Sequence, residues 1–124
     1  MIVGVGIDMI EVDRVMDKIN RNVAFKEKIF SADEIAFCES KMNQGENYAA
    51  RFAAKEAFLK ATGMGLSLGH NLADIEISAD ENGKPLVRLK GSFQEQATKN
   101  NWTRIHVSLS HLQSIACAVV IIEQ

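Results

Sequence analysis

Residues 51–61 read RFAAKEAFLKA and predict a buried α-helix. At about 3.6 residues per turn, large apolar side chains fall on one side of this helix and alanines fall on another. The large residues are Tyr48, Phe52 and Leu59, and the alanines are Ala50, Ala53, Ala54, Ala57 and Ala61. A helix that is apolar on two sides is expected to lie inside the protein.

Four charged side chains lie in the seams between these two apolar sides. Arg51 and Lys55 are four residues apart, as are Glu56 and Lys60, so the members of each pair are neighbours on the helix surface. Charges at such positions are costly unless they are paired or bound to a ligand. The pattern indicates a functional site. The alternative interpretation is that the four charges form two ordinary surface ion pairs on a helix that is only half-buried.

The length of 124 residues predicts one domain, residues 1–124, which is small for an enclosed substrate pocket and favours a site shared between subunits. The net charge of -2 lacks the basic excess of a nucleic-acid-binding protein, so no nucleic-acid partner is expected. The apolar run at residues 115–122 is shorter than the about 20 residues that cross a membrane. Because the N-terminus also lacks a basic leader, we expect a cytoplasmic protein without a membrane partner.

Residues 2–10 predict a strand, because apolar side chains alternate with small or charged ones. Gly4, Gly6 and Asp8 lie on one face of this strand. The two glycines leave space beside the carboxylate, which suits the close approach of a ligand or of another backbone.

Three helices are predicted after this strand. They span residues 11–20, residues 32–42 and a long central helix, which follows a break at residues 43–47 and ends near Thr62. Ser31 and Glu34 form a capping box at the start of the second helix, and Gly63 caps the end of the third.

The second half of the chain changes from a helical to an alternating pattern. It predicts two strands around a turn at residues 81–85, a helix at residues 92–100 capped by Ser92 and Glu95, and a hairpin of residues 102–110 and 115–122. The pattern as a whole predicts an α+β fold, with an antiparallel sheet packed against the long buried helix. Cys38 and Cys117 are expected to face its core as buried thiols, because neither has metal-ligand spacing and no secretion signal is visible. A single disulfide between them is the alternative.

Asp8 and Glu56 are carboxylates in apolar or small-residue surroundings, and together they suggest a Mg²⁺ site. Mg²⁺ takes one or two protein carboxylates and completes its coordination with waters and substrate phosphates, so two protein ligands suffice. The alternative is that Asp8 caps the following helix and that Glu56 only pairs with Lys60.

A phosphate group could bind at the end of the central helix. Lys60 and the loop amides near Gly63 and Gly65 would supply the donors, although helix capping and turn geometry also explain the glycines. His111 lies in the predicted turn of the C-terminal hairpin, where an imidazole can bind phosphate or move a proton. A lone histidine at such a position is also explained as an ordinary turn residue.

Three blocks of sequence occur in an order that resembles the holo-acyl carrier protein synthases, the short bacterial type of 4′-phosphopantetheinyl transferase. The blocks are GIDMIEVDR at residues 6–14, RFAAKEAFLKATGMG at residues 51–65 and SLSH at residues 108–111. The resemblance implies transfer of the 4′-phosphopantetheine arm of coenzyme A to a serine of apo acyl carrier protein, with release of adenosine 3′,5′-bisphosphate. It also implies a homotrimer with active sites at subunit interfaces and a role in fatty acid biosynthesis.

The resemblance also assigns roles to residues by matching position. Asp8 and Glu56 correspond to the Mg²⁺ ligands of the family. The residues assigned to coenzyme A are Arg51, Lys60, Gly63, Gly65 and His111. Larger members of the superfamily carry an Asp-x-Glu pair at this point of the sequence. This chain has Asp8 followed two residues later by Ile10, so the second carboxylate is absent and a water is expected to take its place on the metal.

The first predicted helix carries Arg14 and Lys18, and with the nearby Arg21 it is the expected docking surface for the acidic carrier protein. A mixed, solvated helix is the alternative, because acidic residues are interspersed. For catalysis, we expect Lys60 to offset charge as the bond to the adenosine side breaks. We expect Glu56, directly or through a water, to take the proton of the carrier serine.

Two other functions use the same residues. A Mg²⁺-dependent nucleotide diphosphate hydrolase would use water as the nucleophile and release free phosphopantetheine without a protein acceptor. A non-catalytic oligomeric module would bind a nucleotide or a carrier protein without turnover, and its seam charges would serve only subunit packing.

Overall fold

The computed structural model describes residues 1–64 and 70–124, which form helices and antiparallel strands. In chain order the elements are β1 (Ile2–Glu11), α1 (Val12–Arg21), α2 (Val23–Ile29), α3 (Ala32–Glu39), α4 (Gln44–Thr62), a 3₁₀ turn (Leu72–Asp74), β2 (Ile75–Ala79), β3 (Pro85–Leu89), α5 (Gly91–Lys99), β4 (Arg104–His111) and β5 (Ile115–Glu123). In one sheet β5 lies between β1 and β4, and in the other β2 pairs with β3. Each of these strand pairs is antiparallel.

Helix α4 packs against β1 and β5 and lies at the centre of the core. Its alanine side is buried against the apolar inner face of the sheet, as the two-sided apolar pattern predicts. The helix ends at Thr62, and Gly63 follows with a φ of 71°, a left-handed conformation that favours glycine. The predicted α+β fold, an antiparallel sheet against a long buried helix, is confirmed.

Two glycines allow β1 to lie directly against the backbone of α4. A Cβ atom at Gly4 would be 1.8 Å from the carbonyl oxygen of Ala61, and one at Gly6 would be 1.9 Å from the carbonyl oxygen of Ala57. No side chain fits at such distances. Of the two alternatives that the glycine pattern predicts, the structure shows the close approach of another backbone.

A buried ion pair joins α3 to α4. The ammonium of Lys55 donates to Oε1 of Glu34 at 2.8 Å and to the carbonyl oxygens of Leu72 at 3.0 Å and Ile75 at 2.5 Å. Oε2 of Glu34 accepts the backbone N–H of Ile77 at 3.0 Å. Glu34 also completes the predicted capping box with Ser31. Lys55 on α4 therefore bonds to α3, to the 3₁₀ turn and to β2, and it stabilises the fold. The sequence pattern had instead grouped Lys55 with Arg51 as a site residue.

The helices differ from the prediction at several boundaries. The short helix α2 was not expected, because its seven residues offer few apolar positions with helical spacing. Helix α3 ends at Glu39, three residues before the predicted end. Helix α4 begins at Gln44, so residues 44–47, which were predicted to break the helix, form the first turn of α4.

Two further predictions are wrong: the capping of α5 and the placement of Cys117. Helix α5 begins at Gly91, with Lys90 as its N-cap, so Ser92 and Glu95 do not cap it; the hydroxyl of Ser92 lies 2.7 Å from Nδ1 of His70. Cys117 is half-buried and lies on the sheet face opposite the core residues Ala116 and Ala118. Cys38 does face the core, where burial raises the pKa of its thiol to about 12. Both thiols are free within the described parts of the chain.

The outer face of the three-stranded sheet is apolar and exposed. On β1, Val5, Ile7 and Met9 have exposed fractions of 59%, 63% and 66%. Their partners on β5 are Ile121, Val119 and Cys117, so the apolar surface extends across two strands. A continuous apolar face of this kind is typical of a surface that another protein covers.

Candidate active site

The first group of candidate residues lies where β1 meets the C-terminal half of α4. The ammonium of Lys60 donates to Oδ1 of Asp8 and to the carbonyl oxygen of Ile7, both at 3.0 Å. Asp8 is inside β1, and α1 begins only at Val12 with Glu11 as its N-cap. The alternative in which Asp8 caps the following helix is therefore wrong.

Glu56 lies one helical turn before Lys60 and is half-buried. Its pKa is raised, mainly by burial and further by the charge of Asp8, whereas Lys60 and Lys18 act in the opposite direction. Two carboxylates that repel each other in this way would be stabilised by a divalent cation between them. Within residues 1–64 and 70–124, His, Cys, Asp and Glu side chains form no cluster of three or more that could hold a metal. The two-carboxylate donor set fits Mg²⁺, which needs only one or two protein ligands.

The second group of candidate residues, Arg51 and His111, lines a cavity of about 330 Å³ together with Lys41, Gly83 and Pro85. His111 is the last residue of β4, so its predicted place in the hairpin turn is wrong by a small margin. Its imidazole Nδ1 is 2.7 Å from Oε1 of Glu46, in the first turn of α4.

Arg51 is a buried cation with unused hydrogen-bonding capacity. Only 5% of its surface is exposed, and its guanidinium stacks 4.1 Å from the ring centroid of Phe37. Its Nε has no hydrogen-bond partner among the described residues. Burial lowers its pKa, so a bound anion would stabilise the charged form. A buried, unpartnered donor beside a cavity fits an anionic ligand such as a phosphate.

One copy of the chain does not bring the two groups together. Arg51 and Lys60 are nine residues apart on α4, which at about 100° per residue places them on opposite sides of the helix. The rise of about 1.5 Å per residue adds a separation of more than two turns along its axis. Gly63 is exposed at the end of the helix near Lys60. Gly65 lies outside the described residues.

The basic residues of α1 form one exposed row. Arg14, Lys18 and Arg21 are four and three residues apart, so they share a face of the helix, and all three are exposed. The ammonium of Lys18 lies 5.9 Å from the ring centroid of Phe25 on α2. Because Lys18 also influences the pKa of Glu56, this row borders the carboxylate group.

Three contributors to these groups were not identified from the sequence. Glu46, Phe37 and Phe25 reach the candidate residues only through tertiary contacts between different helices and strands. The position of Glu46 in the first turn of α4 gives no sign of a partner that is 65 residues away. The seven-residue helix that carries Phe25 was itself not predicted.

Comparisons with known proteins show which family this chain resembles. The sequence profile of the 4′-phosphopantetheinyl transferase superfamily matches residues 4–120. A holo-acyl-carrier-protein synthase from Syntrophus aciditrophicus is 44% identical over 124 residues, which cover 99% of this chain and 97% of that protein. The crystal structure of the synthase from Neisseria meningitidis matches with a TM-score of 0.91 at 28% identity and covers 100% of both chains. That of the Helicobacter pylori synthase in complex with coenzyme A has a TM-score of 0.84 at 31% identity, over 96% of this chain and 99% of that one.

The fold and the profile match define a phosphopantetheinyl-transferase-type protein, and this chain belongs to the 4′-phosphopantetheinyl transferase superfamily. Within that superfamily, its relatives over the full length are holo-acyl-carrier-protein synthases. The resemblance identified from the three sequence blocks is thereby confirmed.

Proposed function

We propose that this protein, acting as a single domain, transfers the 4′-phosphopantetheine arm of coenzyme A to a serine of apo acyl carrier protein and releases adenosine 3′,5′-bisphosphate. Full-length relatives named for this activity support the proposal, as does the coenzyme A complex of the Helicobacter pylori synthase. The observation that carries it is the meeting of Asp8, Glu56 and Lys60 at one end of β1 and α4.

Asp8 and Glu56 would hold a Mg²⁺ ion, which when bound neutralises the oxygens of the diphosphate. Lys60, at the edge of this carboxylate pair, is placed to offset negative charge on the departing adenosine bisphosphate. The serine Oγ of the carrier attacks the phosphorus that bears pantetheine, and the bond from that phosphorus to the bridging oxygen breaks. Glu56, directly or through a water, takes the serine proton, because it lies between the metal position and the cationic Lys60.

The decisive test is intact-mass analysis of an apo carrier protein after incubation with coenzyme A and Mg²⁺. The expected result is one added phosphopantetheine arm and an equal amount of adenosine 3′,5′-bisphosphate. A carrier protein whose acceptor serine is replaced by alanine is the control and should gain no mass. Release of free phosphopantetheine without carrier modification would favour the hydrolase, and binding without turnover would favour the non-catalytic module.

The proposal includes a homotrimer with active sites at the subunit interfaces. The exposed apolar face of Val5, Ile7 and Met9 could bury itself against a neighbouring copy. A second copy could also bring its Arg51 and His111 to the Asp8 group, since one copy holds the two groups on opposite sides of α4.

We expect Ile7→Asp to dissociate the trimer and to abolish transfer, because the change places a charge in the proposed interface. Light scattering coupled to size exclusion should give three times the chain mass for the unaltered protein and a smaller mass for the variant. Leu86→Asp, at an exposed apolar residue of β3, is the matched control and should remain trimeric. A monomeric unaltered protein with full activity would contradict the proposal.

We further propose that the row of Arg14, Lys18 and Arg21 docks the acidic carrier protein. Arg14→Glu is expected to raise the KM for the carrier protein about tenfold, with little effect on coenzyme A binding. The effect should diminish as salt is added, because exposed charges are screened. Steady-state kinetics at two salt concentrations measures it, and an unchanged KM for the carrier would refute the docking role.

A cytoplasmic location and a role in fatty acid biosynthesis complete the proposal. Among the helices of the described residues, none is long and apolar enough to cross a membrane. The role in fatty acid biosynthesis follows from the proposed acceptor, which is an acyl carrier protein.

A further inference from the structure

A carboxylate holds the imidazole of His111 in one orientation. Nδ1 of His111 lies 2.7 Å from Oε1 of Glu46, a hydrogen bond that joins the end of β4 to the first turn of α4. The two side chains are 33% and 21% exposed, so the contact is partly shielded from water. A carboxylate only accepts hydrogen bonds, so the proton in this contact belongs to Nδ1.

The bond to Glu46 determines what the other nitrogen of the ring can do. In a neutral imidazole with its proton on Nδ1, Nε2 is only an acceptor and repels an anionic oxygen. If the proton moved to Nε2, the lone pair of Nδ1 would face the carboxylate of Glu46, and the two would repel each other. With Glu46 in place, His111 can therefore donate to a phosphate only as an imidazolium, with a proton on each nitrogen.

We propose that Glu46 is a positioning residue, which orients His111 and makes its donation to a coenzyme A phosphate depend on protonation of the ring. This inference rests on the proposed function, because it takes the cavity lined by Arg51 and His111 as the place of the phosphate. Binding of coenzyme A is then linked to proton uptake by the site and weakens as the pH rises.

Other groups near His111 carry charge or titrate. Lys41 and Arg51 line the same cavity, and Cys117 lines a smaller depression beside His111. The phosphate itself also titrates near neutral pH. The test therefore compares variants over one pH range, so that these contributions are common to all of them.

The experiment measures binding of adenosine 3′,5′-bisphosphate by calorimetry between pH 6 and pH 8. The variants are Glu46→Gln, His111→Ala and the double variant, with Glu95→Gln at an exposed position of α5 as the control. The side-chain amide that Glu46→Gln introduces can donate to Nδ1, which allows a neutral ring to carry its proton on Nε2. Glu46→Gln is therefore expected to weaken binding about tenfold at pH 6 and to flatten its pH dependence.

In the His111→Ala background, the same Glu46→Gln change should have no further effect, because Glu46 acts through the ring. Equal weakening by Glu46→Gln with and without His111 would show a purely structural role and overturn the inference. So would unchanged affinity and unchanged pH dependence in Glu46→Gln. Nitrogen-15 spectra of the His111 ring give a second readout: Nδ1 should be protonated in the unaltered protein, and the neutral ring should shift to the Nε2–H form in Glu46→Gln.

The design separates failure of this inference from failure of the proposed function. If the unaltered protein binds neither coenzyme A nor adenosine 3′,5′-bisphosphate, the proposed function is wrong and the inference is overturned with it. If the unaltered protein binds and transfers but the double variant shows no coupling, only the inference is overturned.

Discussion

Replacing Lys55 by methionine is expected to lower the free energy of unfolding by about 3–5 kcal/mol. The change removes the cation that neutralises Glu34, and both side chains have an exposed fraction of 0%. It also leaves the carbonyl oxygens of Leu72 and Ile75 without the ammonium that bonds to them. Urea unfolding followed by circular dichroism measures the change, at one protein concentration because the proposed assembly would contribute to stability.

Lys26→Met is the matched control for this prediction. Lys26 forms an ion pair of similar length, 2.9 Å, with Glu39, but the side chains are 25% and 43% exposed. Its loss should lower the free energy of unfolding far less than the loss of Lys55, because exposed ion pairs contribute little to stability. Combining Lys55→Met with Glu34→Leu should recover part of the lost stability, because no unpaired charge is then buried. A Lys55→Met variant as stable as Lys26→Met would contradict the structural role of the buried pair.

The second large effect is expected from Glu56→Gln, which should lower kcat by about 10²- to 10⁴-fold even at saturating Mg²⁺. The amide keeps the size of the side chain but cannot accept the proton of the carrier serine. Initial rates at several Mg²⁺ concentrations separate loss of the base from loss of metal affinity. The exposed Glu95→Gln variant should retain the activity of the unaltered protein.

Restoration of turnover by high Mg²⁺ would show that Glu56 only holds the metal and would refute its role as the base. The pH profile gives an additional check. Burial and the neighbouring Asp8 raise the pKa of Glu56, so the carboxylate form is lost at a higher pH than for an ordinary glutamate. Mg²⁺ binds the carboxylate form of Glu56, so the affinity for Mg²⁺ should begin to fall at a pH above the usual glutamate range, and Glu56→Gln should remove this pH dependence.

The parts of the fold that follow from local patterns were predictable from the sequence. The alanine side of α4, its glycine cap and the capping box of Ser31 and Glu34 depend on residues within a few positions of one another. The alternation in β4 and the apolar run of β5 likewise predicted their hairpin. The short helix α2 was missed because its seven residues depend on tertiary packing more than on their own pattern.

The candidate site was predictable only in part. The sequence identified Asp8, Glu56 and Lys60, since charges in apolar surroundings need an explanation. It did not distinguish Lys55 from them, because its partner Glu34 is 21 residues away on another helix. Cys117 was placed on the wrong face because both faces of β5 are apolar, and only the sheet order shows which one meets α4.

Glycine at residues 4 and 6 lets the backbones of β1 and α4 touch, so the strand that carries Asp8 lies directly against the helix that carries Glu56. The distance between these two backbones is set by their own contact and not by side chains packed between them. The same contact excludes any side chain at these two positions. A single methyl group on either glycine would push β1 away from α4, and Asp8 would move with the strand.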